Sequence, residues 1–234
     1  AFRKGKPDDY LSKTTNINYV KFDEIKHKKI GDEIHDFMHK LFPNTELRNY
    51  MWDHLSSSLI GENNDQTFNI YNGSGSNGKS KLVELMRYAL GEYSAQVPIT
   101  LITAKRNSIG STSSEVVQLK GVRYAVMQEP SKGDKINEGI MKEITGGDPL
   151  QGRALFKDSI TFIPQFKLVV CTNTLLDVGS NDDGTWRRIC VCEFISRFAK
   201  KSDFHDDREH QYELDKKLQD KFGKWAPIYM SMLI

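Results

Sequence analysis

Gly73-Ser74-Gly75-Ser76-Asn77-Gly78-Lys79-Ser80 sets two glycines around four short residues and follows the second with a lysine and a serine, a G-x-x-x-x-G-K-S pattern. Phosphate is the ligand this spacing suits. Glycines let successive backbone N–H groups converge on an anion, and a helix starting at the loop's end adds a favourable dipole. A lysine there reaches the β- and γ-phosphates of a nucleoside triphosphate, and the serine hydroxyl ligates Mg²⁺. Residues 73–80 are thus the expected seat of ATP, with Ser80 on the metal.

Hydrolysis also needs an acid that orients the attacking water at a strand end facing the phosphates. The apolar run 122–127 delivers Gln128 and Glu129 to such a place. Glu129 is the candidate base and, with Ser80, the candidate Mg²⁺ ligand; Gln128 stands where a first acid is usual. A second apolar run, 167–171, ends in Thr172-Asn173. Asn173 could donate to the γ-phosphate or the attacking water, or simply form a turn. Arg187 and Arg188 follow the flexible run 179–183. Arginines on a loop edge can complete a neighbouring subunit's site in trans. Register to the strand-like run 189–194 favours Arg188 of the two, and the alternative is a surface ion pair with Asp182 or Asp183.

These residues need strands and helices to hold them. Residues 68–71 are β-prone and 81–90 have helical spacing, so strand, loop and helix follow one another around the glycines. Further strand-like runs at 121–127, 166–171 and 189–194 are separated by mixed helical and loop segments. Such alternation predicts an α/β fold with a mostly parallel sheet flanked by helices. Upstream, Ile34, Phe37, Met38 and Leu41 make one apolar stripe, Pro43-Asn44 breaks the helix, and Leu47, Tyr50, Met51, His54, Leu55 and Leu59 begin another. Residues 1–19 read as an ordered lead-in or arm. Residues 1–64 are expected to be an arm and small helical subdomain, and 65–234 the nucleotide-binding core. The charged stretch 208–222 reads as an exposed helix with i, i+4 pairs such as Glu213–Lys217.

Bulk properties narrow the class. Hydrophobic content of 38% and charged content of 27% suit a globular domain, and a net charge of +2 names no partner. Basic residues gather in 1–40, where a nucleic-acid surface or a solvated face would fit. Cys171, Cys190 and Cys192 form no CxxC pair, and Cys190 and Cys192 should share one buried strand face. Reduced thiols in an intracellular compartment follow, without a zinc site. His35, His39 and His54 are expected to be surface or packing residues. No run reaches the ~20 apolar residues of a membrane span. The start at Ala1 and the apolar end 228–234 suggest a piece of a longer polypeptide.

Lys79, Glu129, Asn173 and Arg187-Arg188, in that order, resemble a superfamily 3 helicase core. The closer resemblance is to the poxvirus-type primase–helicases of large DNA viruses and their phage and plasmid relatives. It rests on Ile144-Thr145-Gly146-Gly147-Asp148, Phe162-Ile163-Pro164-Gln165-Phe166-Lys167, Thr172-Asn173, Trp186-Arg187-Arg188-Ile189 and the lead-in Phe2-Arg3-Lys4-Gly5-Lys6-Pro7-Asp8-Asp9-Tyr10. The resemblance implies an AAA+-type P-loop core that forms a homo-hexameric ring with ATP at subunit interfaces. It implies translocation on one strand of forked DNA, commonly 3′ to 5′, and a primase domain upstream in the same polypeptide. It also places the protein at replication sites in the host cytoplasm or nucleus. A β-hairpin aimed into the ring's channel is expected at 150–163, where two β-prone runs flank a polar turn. Lys157 at its tip would contact phosphate, Arg153 would serve DNA or nucleotide, and Phe156 is expected to pack on the partner strand, with base stacking as the alternative. A translocating ATPase that never separates strands, a small-molecule kinase and a non-hydrolysing assembly module are the rival readings.

Overall fold

The computed structural model describes residues 3–104, 112–128, 130, 133–179 and 182–234. In chain order, helices α1 (Lys28–Leu41) and α2 (Thr45–Ser57) lead into strand β1 (Phe68–Asn72) and helix α3 (Lys79–Leu90). Next come β2 (Ser94–Gln96), the short α4 (Thr100–Thr103) and α5 (Ser114–Val117), β3 (Tyr124–Gln128) and α6 (Glu138–Thr145). Then follow β4 (Leu150–Arg153), β5 (Ser159–Phe162), β6 (Lys167–Thr172), α7 (Asp183–Trp186) and β7 (Ile189–Glu193). The chain closes with β8 (Arg197–Ala199), β9 (Gln211–Glu213) and α8 (Leu218–Leu233).

Strands β1, β3 and β6 are buried nearly throughout because helices cover both faces of the sheet they form. Five strands lie in the order β2-β3-β6-β1-β7, and each neighbouring pair is parallel. The expected α/β class, with a parallel sheet between helices, is what the chain forms. Alternation along each strand divides the core in two. Tyr71, Tyr124, Val126 and Val169 face one side, where α1, α2, α3 and α8 bring Met38, Leu55, Leu85 and Phe222. Ile70, Ala125, Met127 and Val170 face the other, against Ile102, Met141 and Ile144. Ile34, Phe37, Met38 and Leu41 are the buried stripe of α1, as their spacing predicts. Asn44 ends the break after Pro43 by accepting the Leu47 N–H at 2.9 Å as the α2 N-cap. The lead-in is tied down where the Glu92 N–H donates to the Thr14 carbonyl at 3.0 Å.

Two expectations need correction. The stretch 208–222 is not one helix: Gln211–Glu213 is strand β9, parallel to β8, and α8 begins only at Leu218. Glu213 pairs with Lys201 at 3.4 Å. Exposed ion pairs contribute only ~0.3–0.5 kcal/mol each, too little to nucleate a helix. The helix forms where Phe222, Trp225, Ala226 and Tyr229 supply an apolar stripe to bury. Cys192 is buried as expected, but Cys190 is half-buried because β7 is the sheet's edge strand.

His54 is a packing histidine. It is buried in α2, 3.0 Å from the Tyr71 hydroxyl, which in turn accepts from the Tyr124 hydroxyl at 3.4 Å. Burial first, and the Lys167 charge second, push its pKa from 6.5 down to about 3. The neutral ring is therefore favoured in the folded state, so its contribution is complete above pH 6.5 and erodes as pH falls toward 3. At pH 5 this one group should cost about 2 kcal/mol of stability. Denaturant unfolding at pH 7.5 and 5.0 should show a smaller acid loss for His54→Gln than for the parent chain. Equal losses in both would mean that the ring does not carry this pH dependence.

Candidate nucleotide-binding site

The phosphate-loop sequence spans the gap between the end of β1 at Asn72 and the start of α3 at Lys79. Its backbone is shaped by close approach. Gly78 has φ +86°, and a Cβ there would lie 2.2 Å from Cδ2 of Leu41, so the C-terminal end of α1 packs directly on the loop. Gly75, at φ +94°, faces open space. The Ser76 carbonyl accepts from the Phe198 N–H at 2.7 Å, and the Gly78 carbonyl accepts from the Lys81 and Leu82 N–H groups at 3.0 Å each. Asn77 is buried, and its Nδ2 is a buried donor without a partner among the described residues. A buried amide left that way costs free energy unless a ligand meets it.

Lys79 is only 7% exposed, and its Nζ donates to the Gly73 carbonyl at 2.6 Å and to Asn173 Oδ1 at 3.1 Å. Burial lowers its pKa, while Cys171 and Glu193 act in the opposite direction. The structure thus brings Lys79 and Asn173 together across two strand ends. Ser74 and Ser80 are exposed, and Ser80 lines the same cavity as Lys79. Gln128, the last residue of β3, is exposed and lines it too. Glu129 lies outside the described residues. Among the described residues no group of three or more His, Cys, Asp or Glu side chains forms a metal cluster.

The cavity has a volume of about 740 Å³. The loop residues 75–81 and Thr172–Asn173–Thr174 give it a polar end, whereas Phe37, Phe198, Leu214, Leu218 and Trp225 line it with apolar and aromatic surface. A nucleoside triphosphate has the same division, with an anionic tail and a flat, weakly polar base. The donor set and the orphaned Asn77 amide fit that tail.

Arg187 and Arg188 occupy the opposite edge of the sheet. Phe68 and Ile189, the first residues of β1 and β7, are register partners, so the arginines precede the end of β1 remote from the loop. Five residues of strand amount to ~16 Å. Arg188 is buried, with Nη1 on the Gly184 carbonyl at 2.6 Å, Nη2 on Gln66 Oε1 at 2.7 Å, and its own carbonyl accepting from the Phe68 N–H at 2.6 Å. Burial and the neighbouring Arg187 lower its pKa. Arg187 is exposed and donates from Nη2 to the same Gln66 oxygen at 2.6 Å. Burial thus separates two residues that adjacency in the chain makes look equivalent.

β4 and β5 form the expected antiparallel hairpin, with Leu150 opposite Phe162 and Arg153 opposite Ser159. Arg153 is exposed, and its backbone is bonded both ways to Ser113, the residue just before α5. The expected packing of Phe156 is overturned: it is 96% exposed with φ +58°. Strand pairing ends at Arg153–Ser159, so the tip offers no partner strand to pack on. Leu155 and Lys157 are exposed beside it.

Sequence reasoning missed Glu193, Gln66 and the aromatic wall of the cavity. Glu193 closes β7 and accepts from Asn72 Nδ2 at 3.0 and 3.1 Å, beside the loop. Its place at the end of an apolar run, the logic that singles out Glu129, could have flagged it. Gln66 gives no such signal, being one polar residue in a turn.

Residues 71–188 match the family described as "Family of unknown function (DUF5906)". The chain is 39% identical over 239 residues to the "Putative helicase L207/L206" of Acanthamoeba polyphaga mimivirus, covering 100% of this chain and 25% of that protein. It is 34% identical over 217 residues to the "Putative helicase 121R" of Invertebrate iridescent virus 3, across 91% and 23% of the two. The "Putative primase C962R" of African swine fever virus (isolate Warthog/Namibia/Wart80/1980) is 25% identical over 218 residues, across 89% and 22%. The chain therefore spans about a quarter of the length of these curated relatives, or slightly less. A solved structure of the "NrS-1 C terminal region-CTR" shares the fold, with a TM-score of 0.63 at 13% identity over 94% of this chain and 47% of that one. The resemblance drawn from the motifs is borne out by relatives from large DNA viruses that carry helicase and primase names. The chain belongs to the DUF5906 family.

Proposed function

We propose that the chain is the ATP-hydrolysing motor of a viral replicative DNA helicase. One observation carries the reading: a buried lysine ammonium that donates to the neutral Gly73 carbonyl and Asn173 amide oxygens, at the polar end of a cavity of about 740 Å³. Bound ATP would lay its phosphates along residues 73–80, with Lys79 on the β- and γ-phosphates and the base toward Phe198 and Trp225. Mg²⁺ supplies charge neutralisation when bound, and Ser80 and Glu129 would hold it. Glu129 orients the attacking water, and Asn173 contacts the γ-phosphate or that water. Arg187 acts on a neighbouring protomer's phosphates, since it is exposed and lies a strand's length from its own loop. Arg188, being buried, holds the arginine turn in place.

This trans arrangement requires a neighbouring protomer, and the family resemblance implies a ring of six, with residues 1–64 as its assembly collar. The hairpin tip presents Phe156 and Lys157 to one DNA strand, Lys157 on phosphate and Phe156 stacked on a base, with Arg153 at the hairpin's base as a further contact. A primase domain upstream in the polypeptide and action at viral replication sites in the host cell complete the proposal. Among the described residues no helix is long and apolar enough to cross a membrane.

Lys79→Ala should lower ATP turnover by roughly a hundredfold or more, because a preorganised cation at the transferring phosphate is lost. Arg187→Ala should cost about a thousandfold in turnover without lowering thermal stability. Mixing the Lys79→Ala and Arg187→Ala proteins should regain turnover that neither shows alone. A mixture as inactive as its components would contradict a shared site. On a forked duplex, Phe156→Ala and Lys157→Ala should lose unwinding while keeping most DNA-independent hydrolysis. Undiminished unwinding by the double variant would remove the hairpin from DNA contact.

A further inference from the structure

Gln66 is the meeting point of three segments that the proposed motor uses separately. Its Oε1 accepts from Arg187 Nη2 at 2.6 Å and from Arg188 Nη2 at 2.7 Å. Its Nε2 donates to the Gly146 carbonyl at 2.9 Å, at the C-terminal end of α6 and shortly before β4 begins. Two residues on, Phe68 starts β1, the strand that ends at the phosphate loop. The side chain is thus used at both ends at once, its oxygen on the arginine turn and its nitrogen on the root of the hairpin.

The backbone is adapted to this placement. Gln66 has φ +55°, a left-handed conformation that a non-glycine residue adopts at some cost and that recurs where a side chain must be aimed. Its N–H donates to the Asn63 carbonyl at 2.9 Å, and Asn63 Nδ2 donates to the Thr145 carbonyl at 3.2 Å, so the whole turn is fastened to α6. A second tie runs in parallel. Lys142 of α6 reaches both carboxylate oxygens of Asp182 at 2.8 and 2.9 Å, and Asp182 N-caps α7 through the Thr185 N–H. α6, α7 and the turn 63–66 therefore form one hydrogen-bonded block.

We infer that Gln66 is a positioning residue that couples the DNA-contacting hairpin to the arginine pair. A shift of the hairpin root moves the Gly146 carbonyl, and Gln66 transmits it to the guanidinium that completes the neighbouring protomer's site. The inference rests on the proposed roles of Arg187 and of the hairpin, but the linkage itself is a property of this fold. An amide is the side chain that serves both arms, because it donates at one end and accepts at the other.

Hydrogen–deuterium exchange on the full chain, read alongside ATP turnover, tests it. Gln66→Gly removes both arms while relieving the left-handed backbone, so it keeps the fold. It should raise exchange at 184–188 and at 146–153 together, lower DNA-stimulated kcat roughly tenfold and leave KM for ATP unchanged. Gln66→Glu keeps the acceptor and loses the donor, so it should restore protection at 184–188 but not at 146–153. Unaltered exchange at either segment in Gln66→Gly, or a uniform rise over the whole chain, would overturn the linkage. If the parent chain hydrolyses no ATP yet the segmental pattern appears, the coupling stands and the motor reading fails.

Discussion

The structure turns on a lysine ammonium that has been taken largely out of water and that, among the described residues, has no carboxylate at hydrogen-bond distance. Lys79 is held by two neutral oxygens, one from the loop it belongs to and one from the end of β6. Desolvation disfavours the charged form, and the nearby Cys171 and Glu193 offset only part of that cost. On the proposed reading an incoming polyphosphate would supply the missing charge, so its binding would relieve an existing imbalance. The rest of the loop serves the same end. Gly78 lets α1 press against it, and the unpartnered Asn77 amide adds a donor.

The parallel sheet explains how one chain can present two kinds of chemistry. Its C-terminal edge gathers Asn72, Gln128, Thr172, Asn173 and Glu193 around the loop. Its N-terminal edge carries the arginine turn, anchored by the Phe68 N–H on the Arg188 carbonyl, and near it the hairpin root. Within one protomer these edges are a strand's length apart, so on the proposed reading a site that uses both would be built from two copies. Loops at the two ends of a rigid sheet are also where residues can be exchanged without disturbing the buried strands.

Much of this is legible in the sequence, and what is not has a physical reason. The place of the glycine-rich loop between a strand and a helix, β1, β3, β6 and the stripe of α1 follow from local spacing, because backbone geometry imposes periods of two and of 3.6 residues. The hairpin is legible as well. The exposure of Phe156 is not, since residue type does not reveal where strand pairing stops. The 208–222 stretch misleads for a related reason. Its charges have helical spacing, but the apolar residues that bury a helix begin only near Leu218. The aromatic side of the cavity is assembled from Phe37, Phe198 and Trp225, which lie far apart in the chain and meet only through packing on the sheet. Arg187 and Arg188 differ only once the Gln66 turn and the Gly184 carbonyl are in place.

The most direct measurement is a crystal structure of the chain with Mg²⁺ and a non-hydrolysable ATP analogue. Lys79 Nζ should leave the Gly73 carbonyl for the β- and γ-phosphate oxygens, with the Asn77 amide engaged and the base against Phe198 or Trp225. An analogue bound elsewhere, or a correctly folded chain that takes up none at saturating concentration while Lys79 keeps its present partners, would contradict the reading of this site.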